Sequence, residues 1–257
     1  MTNFPSETKE GRVEDFYLQI ARGQIPGHSV IHKFGRNPNV GGVPETIWEQ
    51  GGVYTYLTVA STIYVYGADA QDGADGTGAL TVTVQGLDAD YNEIDETLTV
   101  DGAVSTKSFL RVYRAFVASA GSLQTNKGDI IISTGASGTG TVLAKIATIG
   151  TGTVYGQGQT NLALYTIPAG KTGFITNWNV GVGNYNDAVT ASLYTREVGN
   201  GLIFRTRDIM DVPGGIHPRI YQVPFTLPEK TDIEVRAIAS TGTTMSSTFD
   251  IILLQND

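Results

Sequence analysis

The chain has 257 residues, 40% hydrophobic and 16% charged, which indicates a soluble globular protein of one large or two small domains. Its net charge of −8 argues against a surface that binds nucleic acid or an anionic membrane. It contains no cysteine, which excludes a disulfide framework, a thiolate metal site and a cysteine nucleophile. No apolar run reaches the ~18 residues of a membrane span, and the first residues lack the apolar core of a signal peptide.

Residues 1–50 are rich in turn-forming residues, which predicts an extended N-terminal arm. Ten of these 50 residues are Pro or Gly, and no apolar periodicity lasts beyond a few positions. At most one short helix is expected, near Val13–Ala21. Because such an arm has no core of its own, we expect it to lie on a partner surface, and its removal to leave the rest of the chain folded.

From residue 51 the pattern changes to short alternating segments, typical of strands with one buried face. Loops rich in Gly, Ser, Thr and Asn separate these segments. The predicted strands are Val53–Val59, Ile63–Tyr66, Leu80–Val84, Glu96–Val100, Phe109–Val117, Asp129–Ser133 and Thr141–Ile146. Residues 51–150 are therefore predicted to form one β-sandwich.

A second set of alternating segments follows the glycine-rich link Gly150–Gly158. The predicted strands are Leu162–Ile167, Gly173–Val180, Thr190–Arg196, Leu202–Arg207, Tyr221–Phe225, Thr231–Ala239 and Thr248–Leu254. Residues 159–257 are thus predicted to form a second sandwich. The expected fold class is all-β, with two antiparallel, jelly-roll-like β-sandwich domains after the arm; a single intertwined unit is the alternative.

The span 67–101 carries nine acidic residues and no Lys or Arg. Within it, Asp88, Asp90 and Asn92 begin like a calcium-binding loop, but the sixth position is Glu instead of Gly and the twelfth is Thr instead of Glu. The preferred interpretation is that these side chains bond their own turn backbone. A hard-cation site here or in residues 69–75 is the alternative.

No catalytic centre and no cofactor are expected. His28 and His32 are four residues apart, but glycines flank them closely and no further ligand completes a zinc shell. His217 has no evident partner acid or nucleophile. The sequence also lacks a Gly-x-Ser-x-Gly motif and a phosphate-binding loop.

Four tyrosines, Tyr54, Tyr56, Tyr64 and Tyr66, alternate on neighbouring predicted strands and could share one face. That face would suit a subunit interface or the rim of the core, and sugar stacking is a lesser alternative. Arginines on predicted strands suit pairing across chains as readily as solvated faces. These arginines are Arg111, Arg114, Arg196, Arg205 and Arg207.

Several turn-and-strand segments carry a resemblance that covers nearly the full length, from about residue 17 onward. They are Ile20–Asn37 (IARGQIPGHSVIHKFGRN), Thr81–Thr97, Phe109–Val117, Tyr165–Lys171 and Leu227–Arg236. In this order they resemble a family of virion structural proteins in tailed phages of marine bacteria and cyanobacteria. The resemblance brings no catalytic residues to this sequence.

The resemblance implies a structural protein of the virion, assembled in the host cytoplasm. The preferred function is a capsid decoration or cement protein that binds the major capsid protein through its arm. A tail or neck component, or an adhesin for host glycans, is the alternative. We expect a homo-oligomer, a trimer suiting the threefold positions of a shell, with no nucleic-acid or membrane partner. The arm residues expected to contact the capsid are Arg22, His28, His32, Lys33, Phe34, Arg36 and Trp48.

Overall fold

The computed structural model describes residues 6–7, 13–150, 155–184 and 186–256. This part of the chain is almost entirely antiparallel β-structure, which confirms the predicted all-β class. The elements up to the link are β1 (Ser6–Glu7), β2 (Val13–Glu14), α1 (Phe16–Ala21), β3 (His28–Val40), β4 (Glu45–Thr46), β5 (Tyr64–Gly67), β6 (Ala79–Leu87), β7 (Glu93–Thr99), β8 (Arg111–Ala120), β9 (Ile130–Ser133), the 3₁₀-helix η1 (Ala136–Gly138), β10 (Val142–Ile146) and β11 (Thr148–Ile149). Those after it are β12 (Tyr155–Gly156), β13 (Leu164–Thr166), β14 (Lys171–Val182), β15 (Val189–Glu197), the 3₁₀-helix η2 (Val198–Asn200), β16 (Arg205–Val212), β17 (Gly215–Leu227), β18 (Thr231–Ala239) and β19 (Thr243–Gln255).

The first sandwich packs the sheet β10-β9-β5 against the sheet β7-β6-β8. Its strands alternate in burial because apolar residues occupy every second position: Val82 and Val84 on β6 are fully buried. They meet Ile130 and Ile132 of β9 in one continuous core. The short pair β11–β12 closes this half next to the link, of which residues 151–154 lie outside the described part of the chain.

The second sandwich packs β13-β18-β15-β16 against β17-β14-β19-β3, with β4 also paired to β18. Its core is built on Trp178 and Phe249, both fully buried at facing positions of β14 and β19. In both sandwiches the strand pattern therefore places one apolar face of each sheet inside.

The predicted N-terminal arm needs a correction, since residues 28–46 belong to the second sandwich. β3 pairs with β19 from His28 to Val40, and β4 pairs with β18. Three of the four buried positions of β3 hold Lys33, Gly35 and Asn37 in place of large apolar residues, so the sequence does not show its burial pattern. The stretch is extended, as predicted, but the surface that orders it is this chain's own.

A short helix does form where the sequence predicts one. Asp15 caps α1, its Oδ1 accepting from the backbone N–H of Tyr17 at 2.9 Å and of Leu18 at 3.2 Å. At six residues it is the only α-helix among the described residues, and no described helix has the length and apolarity needed to cross a membrane.

The segment Val53–Val59 is not a strand, contrary to the prediction from its alternation. The backbone N–H of Tyr54 donates to the hydroxyl of Thr46 at 2.8 Å, and the Tyr54 ring meets that of Trp48 edge-on at 5.1 Å. The alternating aromatic residues therefore fill a small third cluster with Leu162 and Leu164 instead of pairing along a sheet.

Gly35 marks the closest approach of β3 to the opposite sheet. A Cβ at this position would lie 2.3 Å from both the amide nitrogen of Ala163 and the carbonyl oxygen of Ile47. Because both contacts are backbone, we expect Gly35→Ala to lower the free energy of unfolding by about 3 kcal/mol, measured by urea denaturation. Gly199→Ala, where a Cβ has nothing within 4 Å, is the matched control. Equal stability of the two variants would contradict this packing.

Candidate functional site

Three of the residues predicted to bind a capsid are instead engaged within the chain. Lys33 is 7% exposed and donates from Nζ to the backbone carbonyl of Tyr113 in the first sandwich. Trp48 is 3% exposed and belongs to the third apolar cluster. Arg36 forms an ion pair with the buried carboxylate of Glu49 at 3.1 Å. Lys33 and Trp48 are buried and Arg36 is ion-paired within the chain, so these side chains hold the chain's own segments together, and a capsid contact by them stays a prediction.

The other four predicted anchor residues lie nearer the surface but do not form one basic patch. Arg22 pairs with a glutamate of β2 at 2.5 Å, and His32 contacts the carboxylate of Asp250 on β19. His28 bonds a backbone carbonyl at 3.0 Å. The half-buried Phe34 ring lies 6.1 Å from the His32 ring.

The four tyrosines do not share one face, so the predicted tyrosine surface is corrected. Tyr54 and Tyr56 lie in the loop after β4 with ring centroids 4.8 Å apart; Tyr54 is buried, and so is the hydroxyl of Tyr56. Burial raises the pKa of Tyr56 well above its usual value. Tyr64 and Tyr66 lie on the outer face of β5, half-buried on either side of the core residue Val65. Tyr64 and Tyr66 therefore remain the pair on a strand face, and a subunit interface there stays a prediction.

The turn at Asp88 bonds itself, as the preferred interpretation predicts. Its Oδ1 accepts from the backbone N–H of Asp90 and of Asn92, both at 2.9 Å, and its Oδ2 accepts from the Asn92 amide at 3.1 Å. Desolvation raises the pKa of Asp88, but the hydrogen bonds from Asn92 and Asp90 together outweigh it, so that the pKa is lowered. In the part of the chain that the structure describes, no three His, Asp or Glu side chains are grouped to hold a metal ion.

Asp72, in the same acidic span, has a structural role that the sequence did not indicate. Its buried carboxylate accepts from the backbone N–H of Ala79 at 2.7 Å, of Lys127 at 2.9 Å and of Gly128 at 2.7 Å. It therefore ties its loop to β6 and to the segment before β9, since a buried carboxylate must be hydrogen-bonded to be tolerated.

A buried set of charged residues, which we call the charged seam, joins the two sandwiches: Arg111, Asp232 and Arg196. Arg111 on β8 donates from Nε and Nη2 to the two carboxylate oxygens of Asp232 on β18, at 2.8 and 3.0 Å. Arg196 on β15 donates from Nε to the same carboxylate at 2.7 Å, and Thr166 adds a hydroxyl at 2.6 Å. Arg111 is 3% exposed and Asp232 is fully buried, so the pair is bidentate and dry.

Aromatic rings cover the charged seam. The guanidinium of Arg196 lies 4.1 Å from the Tyr56 ring centroid and 4.8 Å from that of Phe204, and the guanidinium of Arg111 lies 5.0 Å from Tyr56. Burial alone would lower the pKa of Arg111, but the contact with Asp232 outweighs it and the pKa is raised. Arg111 and Arg196, for which the sequence left pairing across chains and solvated faces equally open, thus pair within one chain.

The β16–β17 edge, defined here by four aliphatic residues, exposes large apolar side chains on both sheets of the second sandwich. β16 and β17 are edge strands of its two sheets. The four residues and their exposed fractions are Val223 (83%), Ile216 (82%), Ile220 (72%) and Ile209 (49%). Two prolines in β17 lack a backbone N–H, so this strand is poorly suited to extend a sheet, and its side chains are what it offers a partner. The sequence predicted strands here but not their exposure.

Lys33 predicts a measurable pH dependence of stability. Burial, with repulsion from Arg114, lowers its pKa to about 7, whereas the unfolded chain has the usual value of 10.5. Between these values the unfolded chain binds more protons, so the free energy of unfolding should rise with pH, by up to about 1.4 kcal/mol per pH unit. Below pH 7 the Lys33 amine is protonated in the folded and the unfolded chain, and the folded chain is destabilised by the full cost of burying that charge. Urea denaturation between pH 7 and 9.5 should give a steeper rise for the natural chain than for Lys33→Met; equal slopes would contradict the burial of the amine.

Comparisons with known proteins place this chain near no family. No family model and no curated protein match the sequence. Solved structures of infectious bursal disease virus show a distant similarity. The Gx-strain structure is 11% identical over 98% of this chain and 78% of that chain, with a TM-score of 0.24. The Gt-strain structure is 10% identical over 98% and 79%, with a TM-score of 0.22.

A crystal structure of the VP2 subviral particle of the same virus is 10% identical over 90% of this chain and 73% of that chain, with a TM-score of 0.21. TM-scores this far below 0.5 do not establish a shared fold. The resemblance of the sequence to phage virion proteins therefore stays a prediction, and the distant structural neighbours of the chain come from virus particles.

Proposed function

We propose that this chain is a non-enzymatic structural protein of a phage virion, a decoration or cement subunit that binds the outer shell. The sequence resemblance supports the virion, and the observation that carries a role in assembly is the exposed β16–β17 edge. Isoleucine and valine side chains that are more than 70% exposed on one edge favour a contact surface, because water around them is released when a partner covers them.

The partner proposed for the β16–β17 edge is a second copy of the chain. Arg205 and Asp211 lie near opposite ends of β16, both exposed, and neither forms an ion pair among the described residues. In a closed ring the Arg205 end of β16 in one copy meets the Asp211 end of β16 in the next. Ile209 lies between these two ends, and Ile216, Ile220 and Val223 lie on the neighbouring β17. A head-to-tail contact gives a ring only when the rotation between copies closes, and the proposed ring has three copies.

The charged seam supports the mechanical part of the proposal. A cement subunit must transmit load between its contacts, so its two sandwiches must move as one body. The buried Arg111–Asp232 pair and its aromatic cover join them without relying on the link between the halves. Many weak contacts with the shell are then enough to transmit load, and this role requires no catalytic pocket.

Self-association is tested by charge substitutions on the edge. Val223→Asp and Ile220→Asp should convert the oligomer to a monomer in multi-angle light scattering at tens of micromolar protein, because a carboxylate in an apolar contact is left desolvated. Val59→Asp is the matched control, since Val59 is 76% exposed but lies away from this edge, in the segment between β4 and β5. A natural chain that is monomeric at every concentration, or variants that associate normally, would contradict this contact.

The position in the virion is tested by stoichiometry. Densitometry of purified particles should give a copy number comparable to that of the major capsid protein, or a simple fraction of it. A few copies per particle would instead favour the tail or neck alternative. Loss of host attachment without loss of particle stability, after removal of the protein, would favour an adhesin.

A further inference from the structure

A cleft of about 380 Å³ lies between β3 of the second sandwich and β8 of the first. Lys33 and Arg114 supply its cations, and Tyr113, Tyr165, Gln85 and Gln159 line it as well. The ring of Tyr165 contacts that of Tyr113 edge-on, with ring centroids 5.0 Å apart, and so joins the two sandwiches beside the cleft. The cleft is distinct from the charged seam and from the β16–β17 edge.

Neither cation of the cleft has an acidic partner among the described residues. Lys33 donates only to the backbone carbonyl of Tyr113, and Arg114 donates to the Gln159 side chain at 3.3 Å and lies over the Phe116 ring. A protein with net charge −8 has ample carboxylates, and Arg111, Arg196 and Arg236 all use them. Two like charges held together without a counterion raise the local potential and favour an external anion.

A further polar group without a partner belongs to a residue that lines the cleft. The hydroxyl of Tyr165 is buried, its residue is fully buried, and no hydrogen bond to it is formed within the described chain. A buried hydroxyl without a partner is costly, and a ligand oxygen would satisfy it. Burial and repulsion from Arg114 lower the pKa of Lys33, because its ammonium group is taken out of water beside another cation.

We infer that this cleft binds a carboxylate, held by the Lys33 ammonium, the Arg114 guanidinium and the Tyr165 hydroxyl. The planar carboxylate matches a guanidinium fork, and the apolar side chains of Ile31 and Phe34 on the same cleft suit the carbon chain that bears it. The carboxylate can belong to a small free acid or to an acidic loop of another protein copy.

The test is calorimetric titration of the full chain at pH 6.5, where the Lys33 amine is protonated. The probes are malonate, the peptide GLDADYNE copied from residues 86–93, and its amide counterpart GLNANYNQ. We expect saturable binding of malonate or of the acidic peptide, weakened at least tenfold in Arg114→Gln and in Lys33→Met. Lys107→Gln, which removes an exposed cation elsewhere, should bind as the natural chain does. Because Arg114 is exposed, its variant keeps the test valid if Lys33→Met does not fold.

The two sources are distinguished by which probe binds. Binding of malonate points to a free acid, and binding of the acidic peptide without malonate points to a protein loop. Inorganic phosphate is titrated separately as a non-carboxylate anion. The inference would be overturned if neither malonate nor the acidic peptide binds, or if Arg114→Gln and Lys33→Met bind as tightly as the natural chain. It would also be overturned if the amide peptide binds as tightly as the acidic one, or if phosphate binds more tightly than either carboxylate.

Discussion

Replacing Asp232 by asparagine is expected to lower the free energy of unfolding by about 3–5 kcal/mol. The carboxylate is fully buried and accepts from Arg111, Arg196 and Thr166. Asparagine keeps the shape but removes the charge, and its amide points a donor at guanidinium groups that are themselves only donors. Arg111, 3% exposed, would then be a buried charge without a counterion. Guanidinium chloride denaturation at pH 7 measures the difference.

The control for this variant is an ion pair that also links the two halves but lies at the surface. Lys171 contacts Glu93, whose side chain is 43% exposed, so Glu93→Gln should cost no more than about 1 kcal/mol. If Asp232→Asn costs as little as the control, the charged seam does not hold the sandwiches together, and the rigid body required of a cement subunit has another origin.

Removing residues 1–41 is expected to prevent the second sandwich from folding. The deletion takes away β3, which pairs with β19 from His28 to Val40, and exposes an edge of the sheet that carries Phe249. At about 1 kcal/mol for each backbone hydrogen bond, the loss exceeds the ~5–15 kcal/mol stability of an ordinary domain once core contacts of Val40 are added. Circular dichroism and limited proteolysis should show the first sandwich alone protected.

Removal of residues 1–12 is the control for this deletion. The buried core begins at Ile20 among the described residues, so the shorter deletion leaves β3 and both cores in place and should unfold as the natural chain does. A folded, protease-resistant second sandwich in the chain lacking residues 1–41 would restore the N-terminal stretch to a separable arm, and with it the expectation that this stretch is the capsid anchor.

The sequence predicted the strands wherever burial follows apolar alternation. Leu80–Val84 falls within β6 and Glu96–Val100 overlaps β7, because Thr and Val occupy opposite faces there. β3 escaped notice because its inward positions hold Lys33, Gly35 and Asn37, whose burial is made tolerable by partners on distant segments. The periodicity of a sequence predicts which face of a strand a residue occupies, but it does not predict the partners that the residue contacts there.

The candidate sites were less predictable than the fold for the same physical reason. Arg111, Arg196 and Asp232 are far apart in the sequence, and only the packing of the two sandwiches brings them to hydrogen-bonding distance. The arginines could be noticed as charges on strands, but nothing near them in the sequence identifies the acid. Tyr54 and Tyr56 alternate as on a strand face, yet the hydrogen bond from the Tyr54 backbone N–H to the Thr46 hydroxyl and the contact with the Trp48 ring hold this segment in a loop.

The pairing of β3 with β19 has a consequence for how the chain folds during translation. His32 and its contact Asp250 are 218 residues apart, so at ~5–20 residues per second β3 is made roughly 10–40 s before its neighbour exists. The first sandwich can close during that interval, while β3 waits as an unpaired strand. Its Lys33, Arg36 and Pro38 then act as gatekeepers against premature aggregation, and the polar residues that hid this strand from pattern recognition keep the nascent chain soluble until translation delivers β19.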